Sequence, residues 1–300
     1  MQHLALVGQT ASGKSALVLR AAERLGDVEI VSVDSMQVYR GMDIGTDKPD
    51  RAAREAVPHH LLDIADPSDE FSAAQFQSAA LAAIADIEQR GKRAVLVGGT
   101  GLYFQAVVDG LQLPGQWPAQ RAQIEAEPDT PALFARLSEL DPVAAGRMEP
   151  TNRRRVVRAL EVTLGSGRTF SSFGRGLMAY PPSPFLLTGI ALSADIVDAR
   201  IAARYERQLA AGFVEEVRTL AARPRGLSRT ARQALGYREL LAHLDGAVSL
   251  GDAIDLAVRR TRRFARRQRA WFRRDPRIRW VTVDGDDPCT ALPVLLGEWT

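Results

Sequence analysis

The sequence predicts an α/β protein: a parallel sheet flanked by helices and interrupted by a helical insertion. Three observations carry that prediction. Short β-rich runs at 3–8, 28–33 and 93–97 alternate with helix-like stretches near 15–25 and 72–90, the pattern of a parallel sheet with helical crossovers. From residue 111 the character changes: Pro114, Pro118, Pro128 and Pro131 punctuate short helical segments that end at Tyr180-Pro-Pro-Ser-Pro184, and proline at this density marks hinges rather than element interiors. An apolar run at 185–192 then restores strand character, followed by helices around 195–222, 230–243 and 251–274 and a last short strand at 278–283. The domain plan is a first part of the core over 1–110, a helical insertion over 111–184, and completion of the core with basic helices over 185–300.

Composition narrows the functional classes. With 300 residues, 46% hydrophobic and 25% charged, the chain has a globular composition. The N-terminus lacks the basic start and long apolar stretch of a secretory signal, and no segment is apolar enough to span a bilayer, so a cytoplasmic protein with no membrane partner is expected. Cys289 is the only cysteine, which excludes an internal disulfide and a multi-cysteine zinc site. A metal must therefore be held by oxygen ligands or histidine. The net charge of +3 conceals an asymmetry: residues 1–150 carry 13 basic and 21 acidic side chains, a net −8, while residues 151–300 carry 26 and 15, a net +11. That distribution suggests a polyanionic partner reached mainly through the second half.

The strongest motif is Gly8-Gln-Thr-Ala-Ser-Gly-Lys14-Ser15, which fits G-x-x-x-x-G-K-[ST] and sits after a predicted strand and at the start of a predicted helix. The glycines let backbone N–H groups turn inward, the helix N-terminus adds positive potential, Lys14 neutralises terminal phosphate oxygens and Ser15 offers a Mg²⁺ ligand. A P-loop NTPase-like sheet binding a di- or triphosphate follows, without saying what the phosphates are attached to. Asp34 ends the strand Ile30-Val-Ser-Val33, where parallel sheets build their sites. Three roles stay open for it: a Mg²⁺ ligand through water, a base on an incoming nucleophile, or a turn cap. Gly98-Gly-Thr-Gly101 ends the third strand on the same edge, as a ligand approach with Thr100 as a hydrogen-bonding group or as a plain tight turn. The pair His59-His60 has no carboxylate framework around it and reads as structural rather than metal-binding.

Two segments are unusually basic. The helix at about 252–274 places Ile254, Val258, Thr261, Ala265, Gln268 and Phe272 on one buried face. Arg259, Arg260, Arg262, Arg263, Arg266, Arg267, Arg269, Arg273 and Arg274 surround that face, with no acid between Asp255 and Asp275. Unrelieved positive charge of this kind suits a phosphate backbone. Asn152 with Arg153, Arg154, Arg155 and Arg158 opens another helix inside the insertion, where cations oppose the helix dipole and so serve something other than helix stability. Arg200 and Arg204, four apart, share one helix face.

Beyond the P-loop, the order Asp34-Ser-Met-Gln-Val-Tyr39, Met42-Asp-Ile-Gly-Thr-Asp-Lys-Pro49, Pro58-His-His-Leu-Leu-Asp63, Gly98-Gly-Thr-Gly-Leu-Tyr103, Arg158-Ala-Leu-Glu161, Gly236-Tyr-Arg-Glu239 and Arg267-Gln-Arg-Ala-Trp-Phe-Arg273 closely resembles bacterial tRNA dimethylallyltransferases over nearly the whole chain. Gln9 replaces the family's usual proline, Asn152 an aspartate common there, and residues 111–128 look shortened. The resemblance implies transfer of a dimethylallyl group from dimethylallyl diphosphate to the adenosine 3′ to the anticodon, with Mg²⁺ assistance, by a monomer. It implies that Gly8, Gln9, Thr10, Ala11, Ser12, Gly13, Lys14 and Ser15 cradle the diphosphate, Ser15 also holding the metal. Thr10, Lys14, Arg204 and Asp34 are then the catalytic set, with Lys14 and Arg204 on the leaving group and Asp34 on the adenine amine. The anticodon stem-loop is expected at Asp34, Ser35, Met36, Gln37, Thr100, Arg121, Arg153, Arg154, Arg155, Gly236, Tyr237 and Arg238. Without the resemblance, a small-molecule kinase or an RNA-stimulated ATPase also accounts for the loop.

Overall fold

The computed structural model describes residues 2–174, 176–283 and 285–300. In chain order the first part forms β1 (His3–Val7), α1 (Lys14–Leu25), β2 (Val28–Val33), α2 (Arg51–Ala56), the two-residue β3 (His59–His60), α3 (Ala73–Gln89), β4 (Arg93–Gly98) and α4 (Gly101–Val108). A helical stretch follows, with α5 (Pro118–Glu125), α6 (Thr130–Leu140), α7 (Pro142–Ala145) and α8 (Arg153–Ser166). The chain re-enters the sheet as β5 (Phe185–Ala191) and continues through α9 (Ala194–Ala210), α10 (Phe213–Ala221), α11 (Tyr237–Leu244), α12 (Leu250–Phe272), β6 (Arg279–Thr282) and α13 (Leu292–Trp299).

The six strands make one sheet in the order β3-β2-β4-β1-β5-β6, every neighbouring pair parallel. β1 and β2 are buried along their whole length, as parallel strands covered on both faces must be. The register positions the site. Val7 of β1 and Val33 of β2 both lie opposite Gly98 of β4, so Gly8, Asp34 and Gly99 leave three adjacent strands side by side at the carboxyl edge.

By internal contacts the chain divides into two units, residues 1–108 with 182–300, and residues 109–181. The first holds the sheet core. The second has a core of its own, including Ile124, Leu133, Leu137, Val156, Val157 and Leu160. Its α8 opens on Asn152, whose side chain accepts from the N–H of Arg155 at 3.3 Å.

Two helices are shorter than the sequence suggests, each for a backbone reason. The stretch expected as one helix over 195–222 breaks at Gly212, left-handed at φ 98°. The stretch at 230–243 begins with a 3₁₀ turn, and α11 starts only after Gly236 at φ 87°. Glycine alone enters that region without a Cβ penalty.

The histidine pair belongs to the fold. His59 Nδ1 lies 2.7 Å from the carbonyl of Val57, and His60 Nε2 lies 2.7 Å from the carboxylate of Glu29. Glu29, the second residue of β2, is 2% exposed. Burial by itself would raise its pKa, but donation from Arg90, His60 and Lys92 outweighs burial and holds it at about 2, below the ordinary 4.5. Replacing Glu29 with Gln is expected to lower stability by about 2 kcal/mol, less than a fully buried pair because the cations are partly exposed. Its folded pKa is depressed, so the stabilisation is full above pH 4.5 and disappears as pH falls towards 2. Urea unfolding of both proteins across that window checks it: the two stability curves should converge at the acid end.

Candidate active site at the carboxyl edge of the sheet

The loop after β1 is shaped to hold an anion. Ala11 at φ 60° and Gly13 at φ 81° are both left-handed, and such residues turn neighbouring N–H groups towards one concavity. Gly13 is required twice over, because a Cβ there would lie 2.1 Å from Cγ of Pro288. α1 then starts at Lys14, adding the positive end of its dipole. Lys14 is buried and its Nζ donates to the carbonyl of Gln9 at 3.0 Å. Burial lowers its pKa to about 8; Asp34 opposes that shift, Arg204 adds to it and Asp47 opposes it. The hydroxyl-bearing Ser15 is exposed on the first turn of α1.

α9 delivers two more cations to the loop. Arg204 Nη1 donates to Thr10 Oγ1 at 3.0 Å and lies 3.9 Å from the carboxylate of Asp47. Arg200, one turn earlier, comes within 3.4 Å of where a Gly13 Cβ would stand. Ser12 Oγ, Arg200 Nη1 and Arg204 Nε are buried with no hydrogen-bond partner among the described residues. Buried polar groups are ordinarily paired, and the oxygens of a diphosphate would supply the missing acceptors.

Across β4 lies the second half of the site. Asp34 Oδ1 accepts from the N–H groups of Met36 at 2.8 Å and Gln37 at 3.3 Å. One oxygen therefore caps the turn, while Oδ2 takes no hydrogen bond among the described residues, and the side chain is only half-buried. The N–H of Ser35 donates to Thr100 Oγ1 at 3.2 Å, tying this turn to the end of β4. Met36 packs against the core.

Several side chains expected to meet tRNA also make contacts within the fold. Gln37 accepts from Ser32 Oγ at 2.8 Å and donates to the carbonyl of Thr46 at 3.0 Å, so both ends of its amide are engaged. Gly236 and Tyr237 are buried. A Cβ on Gly236 would fall 2.7 Å from the Phe213 ring, and the Tyr237 hydroxyl donates to Glu216 at 2.5 Å. Burial, reinforced by Glu216, pushes the Tyr237 phenol far above its ordinary range. Glu216 also accepts from the N–H groups of Asp43, Ile44 and Gly45, fixing the loop that carries Asp47. Only Arg238 of that trio is exposed, with its guanidinium 3.1 Å from Glu239.

Within unit 109–181, Arg121 pairs with Glu125 and with the buried Glu161. Arg153 donates to the carbonyls of Glu125, Glu127 and Pro128. These two hold that unit's own loops, because a buried carboxylate and frayed carbonyls demand donors. Arg154 and Arg155 are exposed and make no ion pair among the described residues.

The α12 arginines are less unrelieved than their sequence suggests. Arg260 pairs with Glu239 of α11, and Arg262 and Arg266 pair with Asp198 of α9. Arg259, Arg263 and Arg267 are exposed and make no ion pair among the described residues. Gln268 lies on the buried face, as expected, and is also a polar bridge. Its Oε1 accepts from the N–H of Thr10 at 2.8 Å and its Nε2 donates to the carbonyl of Gly99 at 2.9 Å. A carboxamide in a stripe of apolar residues and one threonine was the available signal. The glycines after β4 make room for this helix: a Cβ on Gly99 would lie 2.1 Å from Gln268 Nε2, and one on Gly101 2.3 Å from the Trp271 ring.

Comparison with known proteins gives this geometry a family. Residues 37–275 match the family model described as IPP transferase. A tRNA dimethylallyltransferase of a Nocardioides species is 48% identical over 284 residues, 94% of this chain and 91% of that protein. The crystal structure of the full-length tRNA isopentenylpyrophosphate transferase of Bacillus halodurans superposes with a TM-score of 0.71 at 38% identity, covering 99% of this chain and 96% of that one. A eukaryotic dimethylallyltransferase described as acting on tRNA gives a TM-score of 0.78 at 26% identity, covering 93% and 73%. A match that begins at the turn after Asp34 and runs past the end of α12, with relatives aligned along nearly the whole chain, settles kinship: the chain belongs to the IPP transferase family.

Proposed function

We propose that this protein is a tRNA dimethylallyltransferase, moving the dimethylallyl group of dimethylallyl diphosphate to N6 of the adenosine 3′ to the anticodon and releasing diphosphate, as a cytoplasmic monomer. The observation that carries this reading is a cationic phosphate cradle and a carboxylate with one uncommitted oxygen, held on either side of β4. The names of its relatives support it. No helix among the described residues is long and apolar enough to cross a membrane.

In this reading N6 attacks C1 of the donor, the N6–C1 bond forming as the C1–O bond breaks. The electron pair leaves on the diphosphate, where Lys14, Arg204 and the loop N–H groups stabilise it. The N6 proton passes to Asp34 Oδ2. An adenine inside a stem-loop reaches that position only by leaving its stack, and exposed Arg238, Arg259, Arg263 and Arg267 suit RNA phosphates, as do Arg154 and Arg155 on unit 109–181. Among the described residues no three His, Cys, Asp or Glu side chains converge on a metal; Mg²⁺ would be held by Ser15 together with diphosphate oxygens and water, as that ion favours. When bound it would supply further charge neutralisation on the diphosphate.

The reading is tested by mass spectrometry of unmodified tRNA incubated with the protein, Mg²⁺ and dimethylallyl diphosphate, with ATP replacing the donor in parallel. A gain of one isoprenyl unit on that adenosine is expected, and ATP consumption without it would restore the kinase or ATPase reading. Asp34→Asn should lower kcat by about 10²–10⁴-fold with little change in donor KM; unchanged turnover would remove the base.

Lys14 sets a pH signature. Its pKa of about 8 in the free protein means it is charged below that pH, and a bound diphosphate favours the charged form. Pyrophosphate affinity should therefore fall as pH rises above 8, by up to about tenfold per pH unit. Calorimetric titrations against Lys14→Arg, whose guanidinium does not titrate in this range, isolate that component.

The arginines divide by salt dependence. Replacing Arg259, Arg263 and Arg267 with Gln should reduce the slope of log affinity for tRNA against log salt by about 1 for each phosphate that the variant no longer neutralises. Arg262→Gln, already paired with Asp198, should alter it less.

A further inference from the structure

Resting on the transferase reading, we propose that Gln268 is a positioning residue that fixes the distance between the donor side and the acceptor side of the site. Gln268 is the one carboxamide on the buried face of its helix. It is 7% exposed, on a face of α12 otherwise lined by Ala253, Ala257, Thr261, Ala265 and Phe272. A buried carboxamide is costly on such a face unless its ends are hydrogen-bonded. Here they are satisfied by two different loops. Oε1 takes the N–H of Thr10 in the phosphate loop, and Nε2 reaches the carbonyl of Gly99 at the end of β4.

Each loop also has its own anchor. Thr10 is held from the other side by Arg204, through its hydroxyl. The residue after Gly99, Thr100, accepts from Ser35, next to Asp34. Gln268 is thus a side-chain bridge linking Thr10 to the end of β4, to which the Asp34 turn of β2 is tied through Thr100. Removing it leaves the strand ends in register and each half with its local hydrogen bonds, but loosens the Thr10 loop against the end of β4. Trp271, one turn on, packs over Gly101 and keeps α12 seated, so the helix itself does not depend on this amide.

Loss of a bridge of this kind affects the reaction more than the binding. Reacting groups misplaced by about 1 Å cost on the order of a hundredfold in rate, whereas either substrate alone still meets an intact half-site. Gln268→Leu and Gln268→Glu are the direct variants; Glu retains the acceptor for Thr10 and loses the donor to Gly99. Gly99→Ala displaces the amide without altering it, since the new methyl would stand 2.1 Å from Nε2.

The experiment is steady-state transfer of the dimethylallyl group to unmodified tRNA by the wild type, these three variants and the double variant Gln268→Ala/Gly99→Ala with its Gln268→Ala parent. Thermal melts confirm that each is folded at the assay temperature, and a variant that is not folded is assayed below its melting point. The expected result is a 10–100-fold fall in kcat for Gln268→Leu, a smaller fall for Gln268→Glu, and KM for donor and tRNA within about threefold. Gly99→Ala should lose rate as well, and the double variant should be no slower than Gln268→Ala. Unchanged kcat, a loss confined to KM, or additive losses in the double variant would each overturn the positioning role. Failure of the wild type to transfer would instead count against the transferase reading, so the two failures are told apart.

Discussion

Positive charge held in a buried place is the constraint on which the site depends. Lys14, Arg200 and Arg204 converge on one loop that contains two left-handed residues, Ala11 and Gly13. Like charges brought together out of water repel and lose hydration, and burial already draws Lys14 down to about 8. The protein tolerates this through carboxylates on neighbouring turns, Asp34 and Asp47, which act in the opposite direction. A diphosphate would complete the balance, satisfying buried guanidinium and hydroxyl groups that have no partner among the described residues. In the transferase reading we propose, phosphate affinity and leaving-group stabilisation would be one property, because the same charges would serve both.

The parallel sheet makes that concentration of charge useful. β4 lies between β1 and β2, and Val7 and Val33 both register with Gly98. The phosphate loop and Asp34 therefore emerge on either side of a single strand. Gly98 permits this crowding, since a Cβ there would stand 2.1 Å from the carbonyl oxygen of Val33. Rigid strand ends hold reacting groups better than free loops do, and the loops here are pinned further by Glu216, which gathers three backbone N–H groups and the Tyr237 hydroxyl.

α12 combines two tasks that its sequence presents as one. Its outward side carries cations, three of them paired with Glu239 or Asp198 and others open to solvent. Its inward side seats Gln268 and Trp271 against the glycines that follow β4. The glycines after that strand could be read as a ligand approach or a tight turn; packing against α12 is a further reason, and only the tertiary arrangement reveals it.

The sequence by itself determined the class of fold, the phosphate loop and the place of Asp34, because strand periodicity, glycine spacing and strand-end position are local properties of a few neighbouring residues. It also marked Arg204 as a companion of Arg200 on one face. The arrival of Arg204 at Thr10, the burial of Tyr237 and the capture of Arg121 and Arg153 by their own unit depend on partners as many as 194 positions away. An arginine looks the same in a sequence whether it faces solvent or a buried carboxylate, and a glutamine on a helix does not declare which two loops it joins. Tertiary structure decided those matters, because hydrogen bonding and desolvation act between groups close in space, however far apart they stand along the chain.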